Sequence, residues 1–135
     1  MLIEQACESF KTLLCQQLER VNNYKAQHVD YTTKEVVTIG IIDGDGIGPI
    51  IMEAAKRVLY ELVKDEINSG KIVIKVIDGL TIENRLALNE PVPKSVLEEI
   101  KGCDVLLKGP TTTPMGGKME SANVTLRREL DLYAN

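Results

Sequence analysis

Three polar side chains near the end of the sequence are spaced as the binding of an anion requires. Ser121, Asn123 and Arg127 lie in the segment SANVTLRREL, whose pattern predicts a helix that follows a loop. On that helix Asn123 and Arg127 stand one turn apart on the same face. A helix N-terminus favours negative charge, and Arg can hold a carboxylate with two hydrogen bonds. The spacing therefore predicts a site for a multiply charged carboxylate, with an ordinary polar helix face capped by Ser121 as the alternative.

The elements that must position this segment alternate between strands and helices. Short apolar, β-branched runs predict strands at residues 36–42, 71–77 and 103–107. Helical spacing follows Pro49 as far as residues 68–70 and recurs at 95–101, whereas 80–90 reads as a short helix or a loop. This order predicts an α/β fold with a mainly parallel sheet and right-handed crossovers. Ligands of such sheets gather at the carboxyl ends of the strands, where the loop that begins with Lys108 follows the third strand.

The first 35 residues form a separate extension in this interpretation. Apolar side chains recur at steps of three and four along residues 2–21, which predicts an amphipathic helix: Ile3, Cys7, Phe10, Leu14, Leu18 and Val21. Residues 21–35 are polar and read as a linker. We therefore divide the chain into an N-terminal extension at 1–35 and an α/β portion at 36–135.

Composition excludes several classes of function. The chain has 135 residues, of which 44% are hydrophobic and 27% charged, the profile of a globular domain. A net charge of −4 argues against nucleic acid as a partner. No apolar run approaches the roughly 20 residues that a membrane helix needs, and no signal-peptide pattern appears. Three cysteines without a C-x-x-C pair predict a reduced, cytoplasmic protein, and His28, the single histidine, lies in the polar linker.

Two glycine-rich segments resemble nucleotide motifs but fail on spacing. Gly44, Gly46 and Gly48 form the pattern G-x-G-x-G. Pro49 stands where the dinucleotide fingerprint G-x-G-x-x-G requires its last glycine. The interpretation we prefer is a tight turn that reverses the chain. Farther along, Gly-Gly-Lys118 is followed by Met119, where a P-loop requires Ser or Thr.

Two long segments together resemble one known family. IGIIDGDGIGP, in the first strand and turn, and KGPTTTP followed by SANVTLRRELDLYAN are similar to the corresponding segments of the isocitrate/isopropylmalate dehydrogenase family. The resemblance covers residues 36–135. It implies an enzyme that oxidises the hydroxyl of a malate-like acid with NAD or NADP and releases carbon dioxide, aided by Mg²⁺ or Mn²⁺.

The resemblance also implies roles for particular residues. Ser121, Asn123 and Arg127 would bind substrate carboxylates, Lys108 would line the same pocket, and Thr112 would meet the nicotinamide end of the cofactor.

Isocitrate is the favoured substrate, because Ala122 and Thr125 offer little apolar wall for the branched chain of isopropylmalate. Members of the family resemble dimers or higher assemblies, so a homo-oligomer is expected.

The same resemblance places the catalytic tyrosine and lysine, the metal-binding aspartates and the adenosine loop of the family beyond residue 135. We therefore expect this chain to hold only the substrate-loop half of the site, and to need association with the missing C-terminal portion. The alternative is a truncated or partner-binding fragment without activity of its own.

Plainer interpretations remain open for individual side chains. Lys108 can be a solvated lysine at a strand end, and Thr112 a turn hydroxyl that satisfies its own backbone. Arg128 lies about 100° around the helix from Arg127 and is expected to pair with Glu129 or Asp131. Asp43 and Asp45 are read as turn-capping carboxylates rather than metal ligands.

Overall fold

The computed structural model describes residues 2–23, 29–117 and 119–132. Two compact units divide the chain at Met1–Thr32 and Thr33–Asn135, three residues before the predicted boundary. The predictions for His28 and for Lys118 fall outside the described residues.

The first unit contains one long helix, as the periodic stripe predicted. Helix α1 spans Leu2–Asn23. Glu4 lies in its first turn and Arg20 in its last, so charges at both ends complement the helix dipole. None of the helices that the structure describes is long and apolar enough to span a membrane.

The second unit is built on a three-stranded parallel sheet, which confirms the predicted fold class. Strands β1 (Val37–Ile42), β2 (Ile72–Val76) and β3 (Val105–Lys108) lie in the order β2-β1-β3. Ile39 is in register with Ile74 on one side and with Val105 on the other. Because β1 is central, Ile41 and Ile42 are buried, whereas β2 and β3 are partly exposed. The carboxyl ends of β1 and β3 therefore lie side by side.

In the part of the chain that the structure describes, five further helices connect and flank the strands. They are α2 (Gly48–Leu62), α3 (Lys64–Asn68), α4 (Ile82–Leu88), α5 (Lys94–Lys101) and α6 (Ala122–Glu129). The helix predicted to run to residues 68–70 is interrupted at Val63, whose φ of −112° and ψ of 23° leave the helical region.

The segment that the sequence left as helix or loop is helical. The Thr81 hydroxyl caps α4 by accepting from the Asn84 N–H. Asn89 ends the helix in the left-handed conformation, which Asn adopts more readily than most residues. A seven-residue helix gives too few periods to be distinguished from a loop by hydrophobic spacing alone.

The core lies between the sheet and helices α5 and α6. Its buried members are Ile42, Ile77, Leu80, Val92, Val96, Ile100, Ala122 and Leu126. Leu126 brings α6 into this cluster, so hydrophobic packing fixes the helix beside the end of the sheet. The polar side chains of α6 are thereby held on a rigid support.

Candidate anion-binding site at the carboxyl end of the sheet

The turn after β1 and the loop after β3 contact each other directly. The Gly109 N–H donates to the Ile42 carbonyl at 2.8 Å, and the Asp45 N–H donates to the Pro110 carbonyl at 2.8 Å. A Cβ atom at Gly109 would stand 2.1 Å from the Asp43 carbonyl oxygen, so only glycine allows this approach. The glycine-rich turn reverses the chain, as predicted, but it also forms the surface on which the later loop is seated.

The side chain of Asp45 joins three distant parts of the chain. One carboxylate oxygen accepts from the Ile82 N–H at 2.7 Å, at the start of α4. The other accepts from the Thr112 N–H at 2.8 Å and from Arg85 Nη2 at 3.2 Å. Arg85 Nη2 also donates to the Thr112 carbonyl at 2.5 Å. Sequence reasoning missed Arg85, and it placed Asp45 only within its own turn.

The neighbouring carboxylate has a separate structural partner. Both oxygens of Asp43 accept from Lys56 Nζ, at 2.9 and 3.0 Å, which links the turn to α2. Within the described ranges, no cluster of three His, Cys, Asp or Glu side chains is arranged to hold a metal ion.

Lys108 ends β3 half-buried rather than fully solvated. Its Nζ donates to the Gly109 carbonyl at 2.5 Å and lies 3.5 Å from the Thr111 hydroxyl oxygen. Burial lowers the pKa of this ammonium group, the positive charge of Arg85 lowers the pKa further, Asp45 opposes the change, and Arg127 adds to it. Lys108 is therefore partly shielded from solvent, and two neighbouring guanidinium groups, those of Arg85 and Arg127, disfavour its charged form.

Lys108, Asn123 and Arg127 line one groove between β3 and α6. The groove has a volume of about 470 Å³, and its walls include Leu106, Leu126 and Leu130. Two cationic side chains and one amide therefore line the groove from two elements, as expected for a carboxylate site, and the carboxylate of Asp104 also lines it. Ser121 is half-buried at the N-cap of α6 and is not among the residues that line the groove.

Ser121 does not cap its helix through its side chain, contrary to the plainer interpretation of this residue. Glu120 secures this end of α6 instead. Its carboxylate accepts from the Thr125 hydroxyl at 2.6 Å and from Arg128 Nη1 at 2.9 Å. The hydrogen bond from Thr125 lowers the pKa of Glu120 most, and the hydrogen bond from Arg128 lowers it further. Arg128 also contacts Glu129 at 3.4 Å, so the expected pairing with Glu129 is confirmed while the stronger contact with Glu120 was missed.

Two residues that were expected to face the substrate while offering it little apolar wall face the interior instead. Ala122 and Thr125 are buried, and the Thr125 hydroxyl is engaged by Glu120. These two side chains therefore do not support a preference for isocitrate, and leucines line the groove in their place.

Thr112 is held through its backbone, as the Asp45 and Arg85 contacts show, and the residue itself is exposed. Its hydroxyl is therefore accessible at the edge of the site. The backbone partners of Thr112 lie 67 and 27 residues away along the chain.

Comparison with known proteins gives a consistent assignment. The family profile described as isocitrate/isopropylmalate dehydrogenase matches residues 38–135. An isocitrate dehydrogenase [NADP] of Staphylococcus epidermidis is 42% identical over 97 residues, which are 70% of this chain and 22% of the relative. An isocitrate dehydrogenase [NADP] of Archaeoglobus fulgidus is 43% identical over 98 residues, which are 72% of this chain and 23% of the relative.

A solved structure shares the fold. The apo form of a beta-decarboxylating dehydrogenase from Thermococcus kodakarensis matches 73% of this chain with a TM-score of 0.59 and 33% identity, and the match covers 28% of that protein. The segment shared with the sequence relatives above spans less than a quarter of their length.

Proposed function

The chain belongs to the isocitrate/isopropylmalate dehydrogenase family, and we propose that it supplies the substrate-binding half of a site that oxidises and decarboxylates a 2-hydroxy acid. The observation that carries this proposal is the groove that Lys108, Asn123 and Arg127 line together. Isocitrate is the first candidate substrate and isopropylmalate the second, because the relatives quoted above are named for isocitrate.

The proposed role of the groove is to bind and orient carboxylates. Arg127 offers a planar pair of donors, Lys108 a compact positive charge, and Asn123 an amide that can both donate and accept. Leucine side chains line the groove beside these groups, and an apolar wall lowers the local dielectric, which strengthens each electrostatic contact. Ser121, whose hydroxyl is not used in capping, is proposed to reach a carboxylate at the edge of the groove.

A nicotinamide cofactor, NADP or NAD, is proposed because the quoted relatives are NADP-linked by name. Such a cofactor would supply an acceptor for the hydride that leaves the carbon bearing the substrate hydroxyl. The exposed Thr112, whose backbone N–H is held by Asp45 in the loop that follows Lys108, is proposed to meet that end of the cofactor.

The described residues do not fit the Mg²⁺ or Mn²⁺ that the family implies, since they offer no three-donor cluster. The metal ligands and the groups that move protons are proposed to lie outside them, in a continuation of the chain or in a partner subunit.

The binding proposal is tested by titrating isocitrate into the purified chain and following backbone amide shifts by NMR. We expect shifts in α6 and at Lys108. Arg127→Gln should weaken binding about tenfold or more, because a charge-assisted hydrogen bond is lost. Arg128→Gln is the matched control: the adjacent guanidinium contacts Glu120, so binding should be retained.

Equal losses in both variants, or an absence of shifts around the groove, would contradict the proposal. Tighter binding of isopropylmalate than of isocitrate would retain the site but reverse the order of the two substrates.

A further inference from the structure

We propose that Asp45 and Arg85 are positioning residues that hold residues 109–112 in place for the substrate and cofactor. Neither side chain was assigned a role in binding, and neither is among the residues that line the groove. The inference rests on the proposed function for its consequence, but its structural part stands on contacts within the chain.

The contacts form a continuous path from the buried pair to the site. Asp45 accepts a hydrogen bond from the Thr112 N–H, and Arg85 donates one to the Thr112 carbonyl. Both backbone polar groups of this loop residue are therefore fixed by the buried pair. The backbone of Asp45 holds Pro110. The adjacent loop atoms, the Gly109 carbonyl and the Thr111 hydroxyl, are those that meet Lys108 Nζ. A displacement of the loop therefore displaces the partners of the Lys108 ammonium group.

The energetics argue that this pair does more than stabilise the fold. The Arg85 side chain is 0% exposed and that of Asp45 is 4% exposed. Arg85 Nε and Nη1 are buried and have no hydrogen-bond partner within the described part of the chain. Unsatisfied buried donors are costly, and a buried ion pair is commonly no more stabilising than apolar residues of similar volume. Directional hydrogen bonds to the loop are what an apolar pair cannot provide.

Charge makes the arrangement specific to this site. The carboxylate of Asp45 faces one positive group directly, Arg85, and the pKa of Lys108 responds to Arg85, Asp45 and Arg127. The pair therefore sets both the position of the loop and part of the field at the groove. Asp45→Asn keeps the size of the side chain but replaces one acceptor oxygen with a donor, so it cannot reproduce both sets of bonds.

The test compares Asp45→Asn, Arg85→Met and Arg85→Lys with Val96→Ala, a core control on α5 that lowers global stability. The first readout needs no ligand: hydrogen exchange of the Thr112 amide, measured against that of Ile41 in the central strand. We expect Asp45→Asn to accelerate exchange at Thr112 about tenfold or more relative to Ile41, because a charge-assisted bond is lost. Val96→Ala should accelerate both amides together.

The second readout is the dissociation constant for isocitrate. It should rise about tenfold in Asp45→Asn and Arg85→Met, recover in part in Arg85→Lys, and stay unchanged in Val96→Ala. Parallel acceleration of Thr112 and Ile41 in Asp45→Asn would overturn the inference, as would faster Thr112 exchange with unchanged affinity.

Failure of the proposed function is distinguishable from failure of this inference. If the wild-type chain does not bind isocitrate, the proposed function fails, and the inference is then decided by Thr112 exchange together with the NMR shift of the Lys108 side chain. If Asp45→Asn accelerates exchange at the Thr112 amide relative to Ile41 and also shifts the Lys108 side-chain signal, positioning of the loop is supported. If either the Thr112 exchange rate or the Lys108 signal is unchanged, the inference is overturned.

Discussion

Gly44 lies so close to Pro110 that a Cβ atom at Gly44 would stand 2.0 Å from the Pro110 carbonyl oxygen. The same carbonyl accepts the Asp45 N–H at 2.8 Å. The two glycine-containing segments that identify the family are therefore in direct contact in space, although about 65 residues separate them in the sequence. Each segment limits what the other can tolerate.

The first prediction concerns this contact. Gly44→Ala should lower the free energy of unfolding by more than about 1–2 kcal/mol, the usual cost of a left-handed residue, because φ is +81° and the loop backbone must also move. Urea unfolding measures the change. Gly46→Ala is the matched control, since φ is +59° but nothing lies within 4 Å of the added Cβ. Similar losses in the two variants would contradict the steric argument.

The second prediction concerns acid stability. Asp104 accepts from Lys34 and, at 2.8 Å, from the Thr38 N–H, which lower its pKa from the ordinary 3.8. A depressed pKa stabilises the folded state above 3.8, and the gain is lost as pH falls through the folded-state value. Asp104→Asn should therefore be less stable than wild type at neutral pH, and this difference should shrink below pH 3.8.

Urea unfolding at pH 7 and at pH 3 measures the effect on the Asp104 variant. Glu53→Gln on the exposed face of α2 serves as the control and should change little at either pH. A difference between Asp104→Asn and wild type that persists unchanged into acid would contradict the prediction.

The third prediction concerns the titration of Lys108. Burial, then Arg85, depress its pKa, and Asp45 opposes them. Arg85→Met should therefore raise the pKa of Lys108, and Asp45→Asn should lower it. NMR titration of the lysine side-chain signals measures both changes. Arg128→Gln is the control, because its partners are Glu120 and Glu129. Movement of the pKa in the same direction in the Arg85 and Asp45 variants would contradict the assignment of causes.

The fourth prediction concerns turnover. The purified 135-residue chain, given isocitrate, NADP and Mg²⁺, should not reduce NADP, because it is proposed to supply only the substrate-binding half of the site. Absorbance of the reduced nicotinamide measures the reaction. The isocitrate dehydrogenase [NADP] of Staphylococcus epidermidis, of which this chain matches 22%, serves as the positive control. Metal-dependent reduction by the chain alone would refute the prediction.

The sequence was sufficient to predict the elements that have a long hydrophobic repeat or are bounded by glycine or proline. β1 was found because its β-branched run ends at a glycine turn, and α5 because proline precedes it and Gly102 follows it. The break at Val63 was not predicted, since apolar spacing continues across it. Arg85 escaped for a different reason. Its partners are 40 and 27 residues away, and local periodicity carries no information about contacts at that distance.

In the candidate site, too, the positions set by local helical spacing were predicted, and those set by long-range packing were not. Asn123 and Arg127 were predicted from helical spacing, and the structure places both beside Lys108 in one groove. The roles of these residues in binding remain predictions. Ala122 and Thr125 were misplaced because a helical wheel gives angles but not the direction of the core, which Leu126 and its packing define.

The strand order β2-β1-β3 also bears on how the molecule reaches its folded state. The paired residues of β1 and β2 are about 35 positions apart in the sequence, whereas those of β1 and β3 are more than 60 apart. We therefore expect β3 to pair with β1 later in folding than β2 does. The loop that bears Lys108 and Thr112 cannot be seated before that docking. Protection of the Thr112 amide should therefore be among the last events of refolding, and ligand affinity would report on chains that have completed the whole process.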